Sequence, residues 1–153
     1  MSRELKFRAW LKPRWEDDED ANQMYYDIQN SYDNLGDVKP FDPMCNFSDW
    51  FRDDIAVVEQ YTGLKDKNGR EIYEGDIVAL LFGYVPMKSV TTENIRIENA
   101  QKAVIHFDTA RAAFRYTIKL RTPKDCQFKP GTKTNMVVIG NIHENPELLG
   151  GEE

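Results

Sequence analysis

Gln60-Tyr61-Thr62-Gly63-Leu64-Lys65-Asp66-Lys67-Asn68-Gly69-Arg70-Glu71-Ile72-Tyr73-Glu74-Gly75-Asp76-Ile77-Val78 is the stretch that decides the fold. Asn68-Gly69 between Leu64 and Ile72 predicts a β-hairpin, with a type I′ turn that places both central residues at positive φ. Asp66 is expected to hydrogen-bond into the backbone that follows and brace the turn. Glu74-Gly75-Asp76 then reverses the chain, with Gly75 at a φ that other residues avoid. Ile77-Val78-Ala79-Leu80-Leu81-Phe82 is a continuous apolar run of strand length, expected to be buried on both faces. Upstream, the β-branched run Ile55 to Tyr61 predicts the strand that leads into the hairpin.

Further out, Leu5 to Trp10 alternates and predicts an opening strand with Phe7 and Ala9 on one face. Asp17 to Asp20 is too acidic for a core and is expected to be a loop. Residues 22–54 are rich in Asn, Asp and Pro, with weak strand character at Met24, Tyr25, Tyr26, Ile28 and Tyr32. Ser48 is placed to cap a short helix containing Trp50 and Phe51. Beyond Phe82, Gly83 and Pro86 end the strand. Asn94 to Glu98 alternates, and with Ala103 to Phe107 it suggests a second hairpin. Asp108 to Arg111 is a turn, Ala113 to Leu120 a strand, and Pro123 to Gly131 a loop. Met136 to Ile142 gives the last strand, and Asn145-Pro146-Glu147 opens a short terminal helix. Several short strands separated by turn signals predict a mainly β protein, a barrel or a sandwich. The 153 residues suit one domain with a real core. Within it, an acidic loop-rich insertion is expected over about residues 14–54 and a barrel core over about 55–149.

The net charge of −6 is unevenly spread. Residues 16–54 hold twelve acids against Lys39 and Arg52, whereas residues 99–140 hold eight bases against Asp108 and Asp125. This divide fits a basic binding face beside an acidic arm, an attraction between halves or subunits, or ordinary solvated charge. There is neither an apolar run of roughly eighteen residues nor an amino-terminal basic-then-apolar segment, so no membrane partner is expected and the location is expected to be cytoplasmic. Cys45 and Cys126 are isolated and are expected to be reduced thiols rather than a disulfide.

No local motif carries chemistry. His106 and His143 are the only histidines, and without paired cysteines or acids at ligand spacing neither predicts a metal site. A Ser-His-Asp or Cys-His pairing assembles in space and stays open at this level; no nucleophile elbow argues for one. The Thr62 to Gly69 segment lacks the phosphate-loop spacing. Read as a calcium loop with Gly69 in sixth place, it puts Leu64 first and Gly75 twelfth, where oxygen ligands are required. The run Glu16 to Asp20 lacks a glycine turn and makes a poor cation cage. No catalytic residue, metal or cofactor is therefore assigned. Tyr61, Tyr73, Phe82, Phe107, Phe114 and Tyr116 fall on strands as core or rim residues. Trp10, Trp15 and Trp50 lie near the acidic stretch.

Three blocks together resemble the YopX family: residues 60–78, Lys6-Phe7-Arg8-Ala9-Trp10, and Val138-Ile139-Gly140-Asn141-Ile142-His143-Glu144-Asn145-Pro146-Glu147-Leu148-Leu149. They occur in the family's order and span nearly the whole chain. The resemblance implies a small, mainly β protein with an SH3-like, partly open barrel, carried by phages and prophages, of unknown function. An acidic insertion after Trp10 and a longer segment between Phe82 and Val104 depart from the family pattern. The candidate interaction surface is the hairpin turn and its neighbours, Tyr61, Lys65, Asp66, Lys67, Tyr73, Glu74 and Asp76. A glycine turn needs Asn68 and Gly69, but it does not need three charges at an exposed tip. The expected mode of action is self-association as a homo-oligomer, or binding of a phage or host protein. The alternative is nucleic acid bound by Arg111, Arg115, Lys119, Arg121, Lys124, Lys129 and Lys133.

Overall fold

A computed structural model describes residues 4–30, 50–51, 55–80, 101–119, 122–128 and 136–149. The chain is mainly β and divides into two compact units, residues 1–61 and 62–153. The opening strand thus groups with the acidic stretch. No helix among the described residues is long and apolar enough to cross a membrane.

In the first unit β1 (Phe7–Leu11) lies between β2 (Met24–Tyr26) and the first half of β3 (Ala56–Lys65), antiparallel to both. The alternation expected around Phe7 and Ala9 is realised. Ala9 and Leu11 are fully buried and pack with Ile28, Trp50 and Ala56, and Phe7, Tyr25 and Val58 lie against that group. The Tyr25 and Trp50 rings are 5.6 Å apart. Tyr32 and Ser48 lie outside the described residues.

In the second unit, β4 (Glu71–Tyr73) follows the hairpin from the end of β3. A five-stranded sheet then runs in the order β8-β7-β6-β5-β9. Its strands are β5 (Asp76–Leu80), β6 (Lys102–Asp108), β7 (Ala113–Ile118), β8 (Lys124–Gln127) and β9 (Met136–Asn141). The apolar run was read as buried on both faces, and all five residues of β5 are. Val78 and Leu80 join Ile72, Ala103, Ile105, Ile118, Met136 and Val138 in one core. The β5–β9 register shifts between Ile77 and Val78, a bulge that bends the strand locally. Leu81, Phe82, Gly83, Pro86 and the expected strand over residues 94–98 lie outside the described residues.

The hairpin forms where expected, with a different turn. Gly69 has φ 87°, whereas Asn68 is not among the residues at positive φ. Asp66 N–H donates to Arg70 O at 2.8 Å and Gly69 N–H to Asp66 O at 3.0 Å. The loop is wider than a two-residue type I′ turn because it wraps the Asp66 carboxylate, whose Oδ1 accepts the N–H groups of Asn68 and Arg70, each at 2.9 Å. The tip also docks on β9: Lys67 N–H donates to Met136 O at 3.0 Å.

Two other elements differ from expectation. Residues 124–127, read as part of a loop, form β8, with Tyr116 opposite Cys126 and Thr117 opposite Asp125. Its exposed Lys, Asp and Gln side chains hide the apolar alternation by which strands are recognised, and backbone pairing to β7 defines it instead. The terminal helix is only a 3-10 turn, Pro146–Leu149. Asn145 does not cap it, because its Oδ1 reaches back to accept Asn141 N–H at 3.2 Å.

Gly75 has φ 82°, as expected, and is clamped on both sides: its N–H donates to Ile105 O at 2.8 Å and its carbonyl accepts Ile142 N–H at 2.9 Å. Gly75→Val is therefore expected to cost about 1–3 kcal/mol through backbone strain. Lys67→Ala keeps the backbone bond to Met136 and is expected to change stability by less than about 0.5 kcal/mol. Urea melts of both variants check this; a Lys67→Ala loss larger than that of Gly75→Val would overturn it.

Candidate functional site

The hairpin proposed as an interaction surface is largely internal. Tyr61, Asp66, Tyr73 and Asp76 are buried, Lys67 and Glu74 are half-buried, and Lys65 is exposed. The carboxylates serve the backbone. Asp66 Oδ2 accepts Val138 N–H at 2.9 Å, in addition to the two turn bonds, and Asp76 Oδ2 accepts Tyr73 N–H at 2.8 Å. Thr62 Oγ1 donates to Ile72 O at 2.8 Å and accepts Leu64 N–H at 3.1 Å around Gly63, whose φ is 88°. The residue types that make this block recognisable are those its folding requires.

The carboxyl-terminal block behaves alike. Asn141 Oδ1 accepts His143 N–H at 3.0 Å and Glu144 N–H at 2.9 Å, and its Nδ2 donates to Glu144 Oε1 at 3.0 Å. A Cβ on Gly140 would stand 2.5 Å from Asn145 Oδ1, so any other residue there would displace the Asn145 side chain. His143 is thus placed by its backbone in a tight turn.

The basic segment gathers into a polar network on one face of β6, β7 and β8. Arg111 Nη1 lies 2.6 Å from Asp108 Oδ2, and Arg115 Nε lies 2.8 Å from Asp125 Oδ2 and 3.9 Å from Asp108 Oδ2. The pairing register explains this convergence, since His106 faces Arg115 across β6–β7 and Thr117 faces Asp125 across β7–β8. Hydrogen bonding from Arg111 holds the Asp108 carboxyl below the usual carboxylate range. Arg115 first, and then His106, do the same for Asp125. Lys119 and Lys124 are exposed, while Arg121, Lys129 and Lys133 lie outside the described residues.

His106 meets both an acid and a hydroxyl on this face. Its Nε2 lies 3.1 Å from Asp125 Oδ1 and 3.0 Å from Thr117 Oγ1. In a nucleophile–histidine–acid relay the acid orients one ring nitrogen while the other takes the nucleophile's proton. Here both partners meet the same nitrogen, an arrangement that differs from that relay. Among the described residues no group of three His, Cys, Asp or Glu is placed to hold a metal ion.

The acidic run is more ordered than a bare loop. Arg14 grips Asp18 through Nε at 2.7 Å, Nη2 at 2.8 Å and its backbone N–H at 3.1 Å, and the Arg14 guanidinium lies 4.3 Å from the Trp15 ring centre. Arg14 hydrogen bonding holds the Asp18 carboxyl down to about 2, from an ordinary 3.8. A depressed folded-state value stabilises the fold above the ordinary value, and the gain is lost as pH falls through the folded one. Acid titration is expected to release the Arg14–Asp18 clasp near pH 2, and Asp18→Asn to remove that transition. Side-chain NMR of Asp18 checks this; titration near 4 would contradict it.

Sequence reasoning missed the buried pair Arg8–Glu59. Arg8 Nε donates to Glu59 Oε1 at 2.9 Å, and the two residues are 1% and 4% exposed. Alternation put Phe7 and Ala9 on one face and assigned Arg8 no partner. The usable signal was Glu59, a lone acid in a β-branched strand. In the same unit an open hollow of about 350 Å³ is lined by Lys12, Phe51, Ala56, Val57 and Val58.

No curated protein matches the chain. The crystal structure of protein EF1440 from Enterococcus faecalis is similar over 97% of this chain and 99% of that one, at 23% identity and a TM-score of 0.45. The family model described as YopX protein matches residues 6–150. With nearly its whole length matched, the chain belongs to the YopX protein family.

Proposed function

We propose that this YopX protein acts by binding protein, with a second copy of its own chain as the first partner. The observation that carries this reading is the set of aromatic side chains standing in solvent: Trp15 at 60%, Phe51 at 50%, Tyr26 at 45% and Phe107 at 40% exposed. Aromatic residues are enriched at protein interfaces, where they supply large contact area at small entropic cost. The charge divide between residues 16–54 and 99–140 adds an electrostatic reason for like chains to meet. In the phage or prophage setting that the family resemblance implies, a phage or host protein is the next partner to seek.

Light scattering tests self-association. The expected mass at high micromolar concentration is that of two chains, and it should fall toward one as salt screens the attraction. A single-chain mass at low salt would overturn the reading. The network bears on nucleic acid as the alternative. Asp108 and Asp125 compete with phosphates for Arg111 and Arg115. Low-salt titration with labelled DNA and RNA is expected to show weak binding. Tight binding that weakens steeply with salt would favour the nucleic-acid reading instead.

A further inference from the structure

We propose that Asn68 is a site of spontaneous deamidation by its own backbone, and that the Asp66 clasp around the hairpin tip sets the rate. Of the asparagines in the chain, only Asn68 precedes a glycine. Both residues are exposed. Gly69 carries no Cβ to crowd its nitrogen, and a Cβ built there would meet nothing within 4 Å. The reaction needs only the chain and water. The Gly69 nitrogen bonds to Asn68 Cγ, the Cγ–Nδ2 bond breaks, and the Gly69 amide proton leaves with Nδ2 as ammonia, closing a five-membered imide. Water then opens the ring. Attack at Asn68 Cγ leaves an aspartate; attack at the main-chain carbonyl carbon leaves an isoaspartate, whose backbone runs through the side chain and is one carbon longer.

The folded turn holds the attacking nitrogen away from that carbon. Gly69 N–H donates to Asp66 O at 3.0 Å, and the N–H groups of Asn68 and Arg70 donate to Asp66 Oδ1, each at 2.9 Å. Asp66 N–H donates to Arg70 O at 2.8 Å and Lys67 N–H to Met136 O at 3.0 Å. Every backbone N–H from Asp66 to Arg70 is thus engaged, four of the five through Asp66. Ring closure requires Gly69 N–H to leave Asp66 O and the Asn68–Gly69 peptide plane to turn, so the tip must open first. An isoaspartate adds a carbon inside the loop that Asp66 wraps, and a tip that has reacted this way is not expected to reclose on Asp66 and β9. The site thereby turns a transient local opening into a lasting change.

Peptide mapping by mass spectrometry tests this on the full chain in mildly alkaline buffer, native and unfolded in concentrated urea. A gain of about 1 Da on the fragment holding Asn68 is expected in both, about ten-fold slower in the native chain. Asn68→Ser should abolish it. Asp66→Asn loosens the clasp without moving the reacting pair and is expected to speed the native reaction about five-fold. Urea below the melting transition of the unaltered chain reads the same opening, and the rate should rise with it. A native chain with no gain at Asn68 after about ten half-lives of the unfolded reaction overturns the site. Equal rates in native and unfolded chain, or a native rate indifferent to both Asp66→Asn and mild urea, overturn the gate. An isoaspartyl fraction that melts at the same urea concentration as fresh chain overturns the failure to reclose.

Discussion

Asp66→Ala is expected to lower stability by about 3–5 kcal/mol, the largest loss for any single side chain in the hairpin. The residue is 5% exposed, and its carboxylate accepts three backbone N–H groups, from Asn68, Arg70 and Val138, each at 2.9 Å. Hydrogen bonds to a charged acceptor are worth about 1.5–3 kcal/mol each, and truncation leaves the buried Val138 N–H without its acceptor. Asp66→Asn keeps one carbonyl oxygen but turns an amide NH₂ toward a backbone donor, so about half the loss is expected to remain. Urea melts of both variants measure this. A loss below about 1 kcal/mol for Asp66→Ala would show that the turn holds β9 without its carboxylate.

Arg8→Ala is expected to cost about 3–5 kcal/mol, because it leaves Glu59 as a buried charge without its guanidinium partner. Arg8 sits between neighbouring strands, opposite Glu59 on β3 and Tyr26 on β2. Its Nη1 lies 3.5 Å from the Tyr26 hydroxyl, and its guanidinium lies 5.9 Å from that ring's centre. Removing one charge and removing both differ in size. The double replacement Arg8→Met with Glu59→Leu fills similar volume without ions and is expected to recover most of the stability. Thermal melts of the two singles and the double form the cycle that decides it. A double variant as damaged as Arg8→Ala would locate the cost in packing around the stem of Arg8.

The parts of the fold read correctly from sequence are those governed by neighbours in the chain. Gly75 announces its positive φ locally, and the apolar residues Ile77 to Leu80 announce burial on both faces. The block from Tyr61 to Asp76 was legible as a hairpin, but its turn was not legible in detail. The wider loop depends on Asp66, whose third bond goes to Val138, 72 residues along the chain. Distance hides such a partner, and the same carboxylate therefore read as a charge at an exposed tip. The Arg8–Glu59 pair was hidden for a related reason: alternation assigns a face, and only cross-strand register reveals that Glu59 waits on it. β8 failed because a short edge strand carries polar side chains that resemble a loop. The network of His106, Arg111 and Arg115 with Asp108 and Asp125 was half visible. Its cations stood out as a basic segment, while the two acids that engage them required the β6–β7–β8 register.

The position of β5 bears on how the chain is made. Its neighbours in the sheet are β6 and β9, and β9 begins only at Met136. During synthesis the run Asp76 to Leu80 therefore emerges long before the strand that completes its second edge. Until then that edge offers unpaired backbone beside apolar side chains, the combination most prone to sticking to other chains. A nascent chain arrested before Met136 would carry this edge for as long as it remained on the ribosome. Chaperone capture of such arrested chains, released once residues 136–141 have emerged, is the cellular signature this strand order implies.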